Sequence, residues 1–399
     1  MAVAIVMPTA GARAIALTAL LFAPIGVVAP KGLVLLLFAV GLWLLFRALG
    51  QGRLVPVFTG ATAMLFGLFT TWALVSAAWS LDAGASVITT AKLAAVLLAA
   101  LLVLDAVRQL PDRDAAAVGG ALVIGYAVAA LLLAAESLSG GLAHQALYRL
   151  QERSHEFDMS ILNRAGAMLL LAAWPVALEL RRRAGPGLAI LAIVVAMAIA
   201  LGGVGNSNQV AVLAAASAAI AAWWLGRRLC TSLAVLLVIL IVAAPLLPRT
   251  LLAPERFQSM LDDRYYSALH RLEIWRFSAL KIAEKPMLGW GMDAARRMPD
   301  GDTKLRHGGH LMNVHPHNAT LQVWLELGGV GAGLLALLVA GLWLRAGRLG
   351  DVWRSAAAAG CLAAGLAVAN LSFGVWQTWW MAALALAGGL FAAVVRPRG

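Results

Sequence analysis

Charge is what this 399-residue sequence has least of: 13% of its residues are charged against 62% hydrophobic, where a soluble domain carries roughly a quarter charged residues. That shortage excludes a soluble globular fold. Cysteine is nearly absent too, with Cys230 and Cys361 in apolar stretches far apart in the chain, which excludes a disulfide framework and a Cys-x-x-Cys redox motif. No Gly-x-x-x-x-Gly-Lys-Ser/Thr run occurs, so no P-loop nucleotide site is encoded. The strict alternation of a membrane barrel is missing, and no internal repeat stands out, which leaves an all-α, polytopic membrane bundle.

What is present is a series of apolar blocks of about 17 to 25 residues, the length a helix needs to cross roughly 30 Å of hydrocarbon. The pattern predicts twelve spans, near 13–29, 31–48, 57–79, 86–104, 115–137, 161–180, 187–203, 208–226, 230–248, 318–345, 354–372 and 376–395. The first block resembles a signal peptide but has no convincing cleavage site and runs at once into the second, so it reads as retained. Three regions follow: spans one to nine in 1–248, a large loop in 249–317, and spans ten to twelve in 318–399.

Short cytoplasmic loops collect Lys and Arg. The loops that share a side with the termini hold Arg13, Arg47, Arg53, Arg108, Arg113, Arg181, Arg182, Arg183, Arg227, Arg228, Arg345, Arg348, Arg354, Arg396 and Arg398. The short loops opposite hold only Lys31, Arg149 and Arg153, with Arg164 at a span edge. Both termini are therefore expected in the cytoplasm, and the net charge of +12 records topology rather than nucleic-acid binding.

One external segment departs from this economy. Residues 249–317 contain eleven Lys or Arg and eight Asp or Glu, with His270, His307, His310, His315 and His317, while the remaining histidines, His144 and His155, fall in the next-longest external loop. Every histidine thus lies on one face of the membrane. From Tyr265 to Glu284 apolar residues recur at near-helical spacing (Leu269, Leu272, Trp275 or Phe277, Leu280) until Pro286, predicting an amphipathic surface helix. Gly289 and Gly291 around Trp290 predict a tight turn, and NVHPHNATLQVWLELGGVGAG, Asn313 to Gly333, leads into the tenth span.

The His-Pro-His-Asn edge has three readings. In the structural one Pro316 starts a helix, Asn318 caps it, and the histidines sit at a wet interface. A metal reading is weak, because His307, His310, His315 and His317 match no closed zinc spacing and lack a cysteine; Asp262-Asp263 beside Arg264 reads equally as a solvated loop. In the acid-base reading a histidine at the helix start takes a proton from an attacking hydroxyl near neutral pH. Asn318, Gln322 and Glu326 fall on one face at i, i+4 and i+8 beside His317, a polar stripe entering the membrane, where a glutamate marks a functional site by default. Gly328, Gly331 and Gly333 are expected to let another helix approach closely.

These residues resemble a known family. His317-Asn318, nine residues, then Gly328-x-x-Gly331 is similar to the pattern of bacterial O-antigen ligases, and HPHNATLQVWLELGGVGA resembles the wider O-antigen ligase and polymerase superfamily. Arg276 and Leu280 match the Arg-x-x-x-Leu element that those ligases carry in the same loop, and Arg271, Trp275, Pro286, Gly289 and Gly291 look like the superfamily's Arg, Trp, Pro-x-x-Gly-x-Gly run. One departure is GNSNQVAVLA, where Ser207 is followed by Asn208 and Gln209 in place of the arginine that many relatives carry.

The resemblance implies an inner-membrane enzyme with a periplasmic site, a glycan donor on undecaprenyl pyrophosphate, a lipid A-core acceptor, and no cofactor or metal. It makes His317 the base and Arg271 and Arg276 the pyrophosphate clamp, with His315, Asn318, Gln322, Glu326 and Arg164 as substrate contacts and Gly328, Gly331 and Leu280 as structural members. Arg271 and Arg276 stand about 140° apart around a helix, so they grip opposite sides of the pyrophosphate or one of them is structural. A polymerase of the same superfamily is the nearest alternative, and a transporter or flippase a remoter one, against which stands the scarcity of charge within spans apart from Lys92 and Glu136.

Overall fold

The computed structural model describes residues 9–52, 57–150, 158–203, 205–257, 266–305, 309–312 and 314–396. His155, Arg153, Asp262-Asp263 and His307 lie outside the described residues. In chain order the helices are α1 (Ala10–Val28), α2 (Gly32–Gly50), α3 (Ala61–Val75), α4 (Ala83–Arg108), α5 (Asp112–Leu138), α6 (Leu142–Leu150), α7 (Leu162–Ala184), α8 (Pro186–Gly202), α9 (Asn206–Leu225), α10 (Arg227–Ala243), α11 (Tyr266–Glu284), α12 (Ala319–Ala346), α13 (Val352–Leu371) and α14 (Thr378–Val395). Among the described residues the one isolated β-bridge joins Lys304 to His310.

Among the described residues ten helices are long and apolar enough to cross a membrane. The expected count of twelve spans is therefore not reached on that measure: α8 and α10 occupy the seventh and ninth predicted positions but are only 17 residues each.

The middle of the bundle is α7, 83% of whose apolar stretch is buried. Small residues allow this. Gly360 of α13 faces the Trp174 indole so closely that a Cβ there would stand 2.3 Å from the ring, and Gly125 of α5 lies against the Leu20 carbonyl of α1. Around α7 pack α1, α5, α8, α13 and α14, while α10 packs on α12, and α9 on α13. At the arginine-rich end Glu179, 1% exposed, is paired with Arg183 at 2.7 Å and Arg182 at 3.7 Å, so a carboxylate within an apolar helix is not left uncompensated.

At the opposite, loop-bearing end lies α11. Its buried face is Ile274, Phe277, Ser278 and Ile282, packed against Leu321 and Leu325 of α12 in one apolar cluster. The predicted amphipathic helix is present, but Leu280 is 47% exposed. Leu269, about 20° from it around the helix axis, is buried, so this face is covered at the start of α11 and open towards its end.

Within α12 the helix breaks at Gly328, whose φ of 63° and ψ of −163° are non-helical and suit only glycine. A break frees backbone groups that hydrocarbon cannot satisfy. Here the turn 286–291 satisfies them: Trp290 N–H donates to the Leu325 carbonyl at 2.9 Å, Gly291 N–H to Glu326 at 2.8 Å, and Gly329 N–H to Pro286 at 2.8 Å. The Trp72 indole N–H of α3 donates to the Leu327 carbonyl at 2.9 Å. A Cβ on Gly328 would stand 2.2 Å from the Met287 oxygen, and one on Gly289 2.5 Å from the Glu326 oxygen. The expectation of a helix approaching these glycines is thus corrected. A turn inserts at Gly328, Gly331 makes room for the Leu327 side chain of its own helix, and Gly333 faces open space.

Candidate functional site

The His-Pro-His-Asn edge sits where α11, the start of α12 and the segment between α13 and α14 meet. Trp275 of α11 donates its indole N–H to the Pro316 carbonyl at 2.9 Å, and the His270 ring contacts the His310 carbonyl at 2.9 Å. Asn318 is the N-cap of α12, its Oδ1 accepting from Leu321 N–H at 2.9 Å, as the structural reading expected.

His317 adopts a left-handed backbone, φ 53°, uncommon for a residue with a side chain. Two bonds hold it there. Its backbone N–H donates to His315 Nδ1 at 3.1 Å, and its ring Nδ1 meets the Ser372 carbonyl at 2.7 Å. A carbonyl only accepts, so Nδ1 carries the proton and Nε2 keeps a lone pair. Burial holds the His317 pKa below its ordinary value, and the charges of Arg271 and His270 lower it further against the opposing pull of the Ser372 carbonyl. At neutral pH the ring is the unprotonated, accepting form.

His315 is a different kind of histidine. It is buried, its ring centroid lies 4.3 Å from that of His317, and burial, then His317 and Arg296, push its pKa down to about 3. With Nδ1 taken up by the His317 N–H, it shapes the backbone of its neighbour.

The polar stripe is formed as the spacing predicts, but it is sealed. Gln322 donates to Glu326 Oε1 at 3.0 Å and accepts from Val375 N–H at 3.0 Å. Glu326, 0% exposed, also receives Asp293 N–H at 2.5 Å and the Trp376 indole N–H at 2.6 Å. The carboxylate thereby ties the loop after α11 and the segment after α13 to α12. Since that segment carries Ser372, the stripe braces the carbonyl that orients His317.

Arg271 shares a face of α11 with Trp275, four residues on, which bonds Pro316; the Arg271 charge lowers the His317 pKa, and burial lowers its own. Arg276 points elsewhere, paired with Glu255 of the short turn Pro254–Arg256. Arg164 stands at the start of α7 with its guanidinium 5.7 Å from the Trp379 ring centroid. At the departure noted in the sequence, Ser207 donates to the Leu371 carbonyl at 2.9 Å and Asn208 to the Asn163 carbonyl at 2.8 Å. A Cβ on Gly166 would lie 2.9 Å from Asn208 Nδ2, so that position is a tight helix contact.

Beside the histidines opens a cleft of about 520 Å³, lined by Lys31, Val34, Thr89, Lys92, Arg164, Asp293, Arg296, Trp376, Gln377, Thr378 and Trp379. Gln377 reaches His315, nitrogen to nitrogen at 3.3 Å. Of these residues sequence reasoning selected only Arg164. Lys92 did stand out as a charge in an apolar span, a signal that pointed here. Ser372 contributes a main-chain carbonyl and has no side-chain signature at all.

Residues 191–336 match the family described as O-Antigen ligase. A protein of Rickettsia bellii (strain RML369-C) named "Putative polysaccharide ligase" is 35% identical over 130 residues, 31% of this chain and 32% of that protein. A Rickettsia conorii protein of the same kind of name is 35% identical over 129 residues, 30% and 31% of the two chains. The matches thus span about a third of those relatives. A Rickettsia prowazekii (strain Madrid E) protein, also named as such a ligase, is 28% identical over 324 residues, 79% of this chain and 76% of its own length.

Proposed function

We propose that this membrane protein, of O-antigen ligase type by its match over residues 191–336, is an inverting glycosyltransferase of the bacterial inner membrane. It moves a glycan from undecaprenyl pyrophosphate to a lipid A-core sugar hydroxyl at the periplasmic face. The observation that carries the reading is the His317 ring, held at Nδ1 by the Ser372 carbonyl, with Nε2 unengaged among the described residues and the Arg271 charge acting on the ring. The positive-inside bias supports the orientation, with both termini in the cytoplasm.

In the transfer the acceptor hydroxyl attacks the anomeric carbon and its proton passes to His317 Nε2. The bond from that carbon to the pyrophosphate oxygen breaks, and the electron pair leaves on undecaprenyl pyrophosphate. Charge grows on the leaving group, and fixed cations stabilise it. Arg271 takes this role in the proposal, its planar fork suiting phosphate oxygens. Arg276 joins by exchanging Glu255 for a phosphate. The donor is already activated, so no nucleotide is needed, and the arginines supply the positive charge that a metal would otherwise bring. Arg164 contacts substrate, while Asn318, Gln322 and Glu326 hold the helix start and the segment carrying Ser372, and so position the base.

The His317→Ala variant is expected to insert and fold normally and to lose transfer by about a hundredfold or more, the usual scale for a removed general base. Near-normal turnover of a folded variant removes His317 from that role. A polymerase of the same superfamily needs the same base and cations, and the identity of the acceptor separates the two.

A further inference from the structure

The 520 Å³ cleft is not accounted for by a base and a pyrophosphate clamp. Lys31, Lys92, Arg164 and Arg296 line it against one carboxylate, Asp293. Asp293 is already engaged by Arg296 at 3.1 Å and by the Thr89 hydroxyl at 3.3 Å, so among the described residues the other three cations have no further carboxylate in the cleft lining. Lys92 is nine residues into α4, about 13 Å below its start. Cations at that depth in a membrane bundle are costly unless something anionic meets them.

Trp376 and Trp379 form a wall beside these cations, and the Arg164 guanidinium is held over the Trp379 ring. Flat aromatic surface next to fixed positive charge fits sugar rings that carry phosphate. The cleft joins the histidine pair through Gln377, which reaches His315, and its lining includes no residue of α11, the helix that carries Arg271. An inverting displacement brings nucleophile and leaving group in from opposite sides of the anomeric carbon. With the leaving pyrophosphate at Arg271, the cleft receives the acceptor.

We propose that the Lys31, Lys92, Arg164 and Arg296 cleft binds the phosphorylated sugars of the acceptor lipid and selects acceptors by that charge. The assignment rests on the glycosyltransferase reading above. It is tested on the full chain in nanodiscs, by direct binding of rough lipopolysaccharide with and without its core phosphates, and by separate KM values for acceptor and donor.

The wild type is expected to prefer the phosphorylated acceptor by roughly tenfold or more, since a charge-assisted hydrogen bond is worth about 1.5–3 kcal/mol. The Lys31→Gln, Lys92→Gln double variant loses that preference and raises acceptor KM, with donor KM and kcat unchanged, while the matching Lys→Arg variant retains it. Equal binding of both acceptors by the wild type overturns the assignment. So does a rise in donor KM in the Gln variant, which gives the cleft to the donor pyrophosphate instead. Absence of any glycan transfer overturns the enzymatic reading alone, because the binding comparison still reports on the cleft.

Discussion

The chemistry of His317 is decided by a neighbour with no reactive side chain. The Ser372 carbonyl fixes the tautomer, and burial with Arg271 and His270 keeps the ring neutral. The sign for catalysis follows. A base works while unprotonated, and its pKa is lowered from the ordinary 6.5, so activity persists as pH falls through 6.5 and fails only below it. The acid limb of kcat/KM against pH is expected below that value, and a limb above 6.5 contradicts the neutral, buried ring. His317 was legible in the sequence, because a histidine at a helix start beside a stripe at i, i+4 and i+8 is a local pattern. Its separation from His315 by hydrogen bonding was not, since Ser372 and Gln377 come from more than fifty residues away.

Helices and their boundaries follow largely from local composition, and the break in α12 shows where such reading stops. Gly328 was visible as a glycine that permits close approach, but not the element that approaches. The partner is a turn formed by Pro286, Gly289 and Gly291, and it supplies the hydrogen bonds that the break releases. Spacing cannot reveal that exchange, which depends on two segments about forty residues apart. Gly328→Ala meets both a forbidden φ and the Met287 carbonyl; the backbone alone costs about 1–3 kcal/mol. The variant is expected to melt several degrees lower and to lose transfer. Gly333→Ala, facing open space in a helix, is expected to be neutral or slightly stabilising. Equal melting temperatures for the two variants contradict the inserted turn.

For the whole molecule, hydrophobic blocks give the membrane class, because transfer free energies sum over many residues, and arginine asymmetry sets the expected orientation. The exact number of crossings does not follow, since α8 and α10, at 17 residues each, fall short of the other candidate spans, α3 reaching 19 residues with the 3-10 turn Ser76–Trp79 that continues it. Single cysteines placed at Arg183 and at Lys304, with Cys230 and Cys361 replaced, test the orientation. A membrane-impermeant maleimide is expected to label the Lys304 position in intact spheroplasts and the Arg183 position only after lysis. The reverse pattern inverts the topology and removes the site from the periplasmic face.

The central claim is that this face transfers a lipid-linked glycan to a core sugar. It is tested most directly by incubating the purified full chain with a defined undecaprenyl-pyrophosphate glycan and rough lipopolysaccharide, in EDTA and without nucleotide, and identifying where the glycan ends. The account predicts glycan covalently joined to lipid A-core, and free undecaprenyl pyrophosphate in equal amount. Longer glycan still on the polyprenyl carrier, or transfer restored only by one added divalent ion, would contradict it.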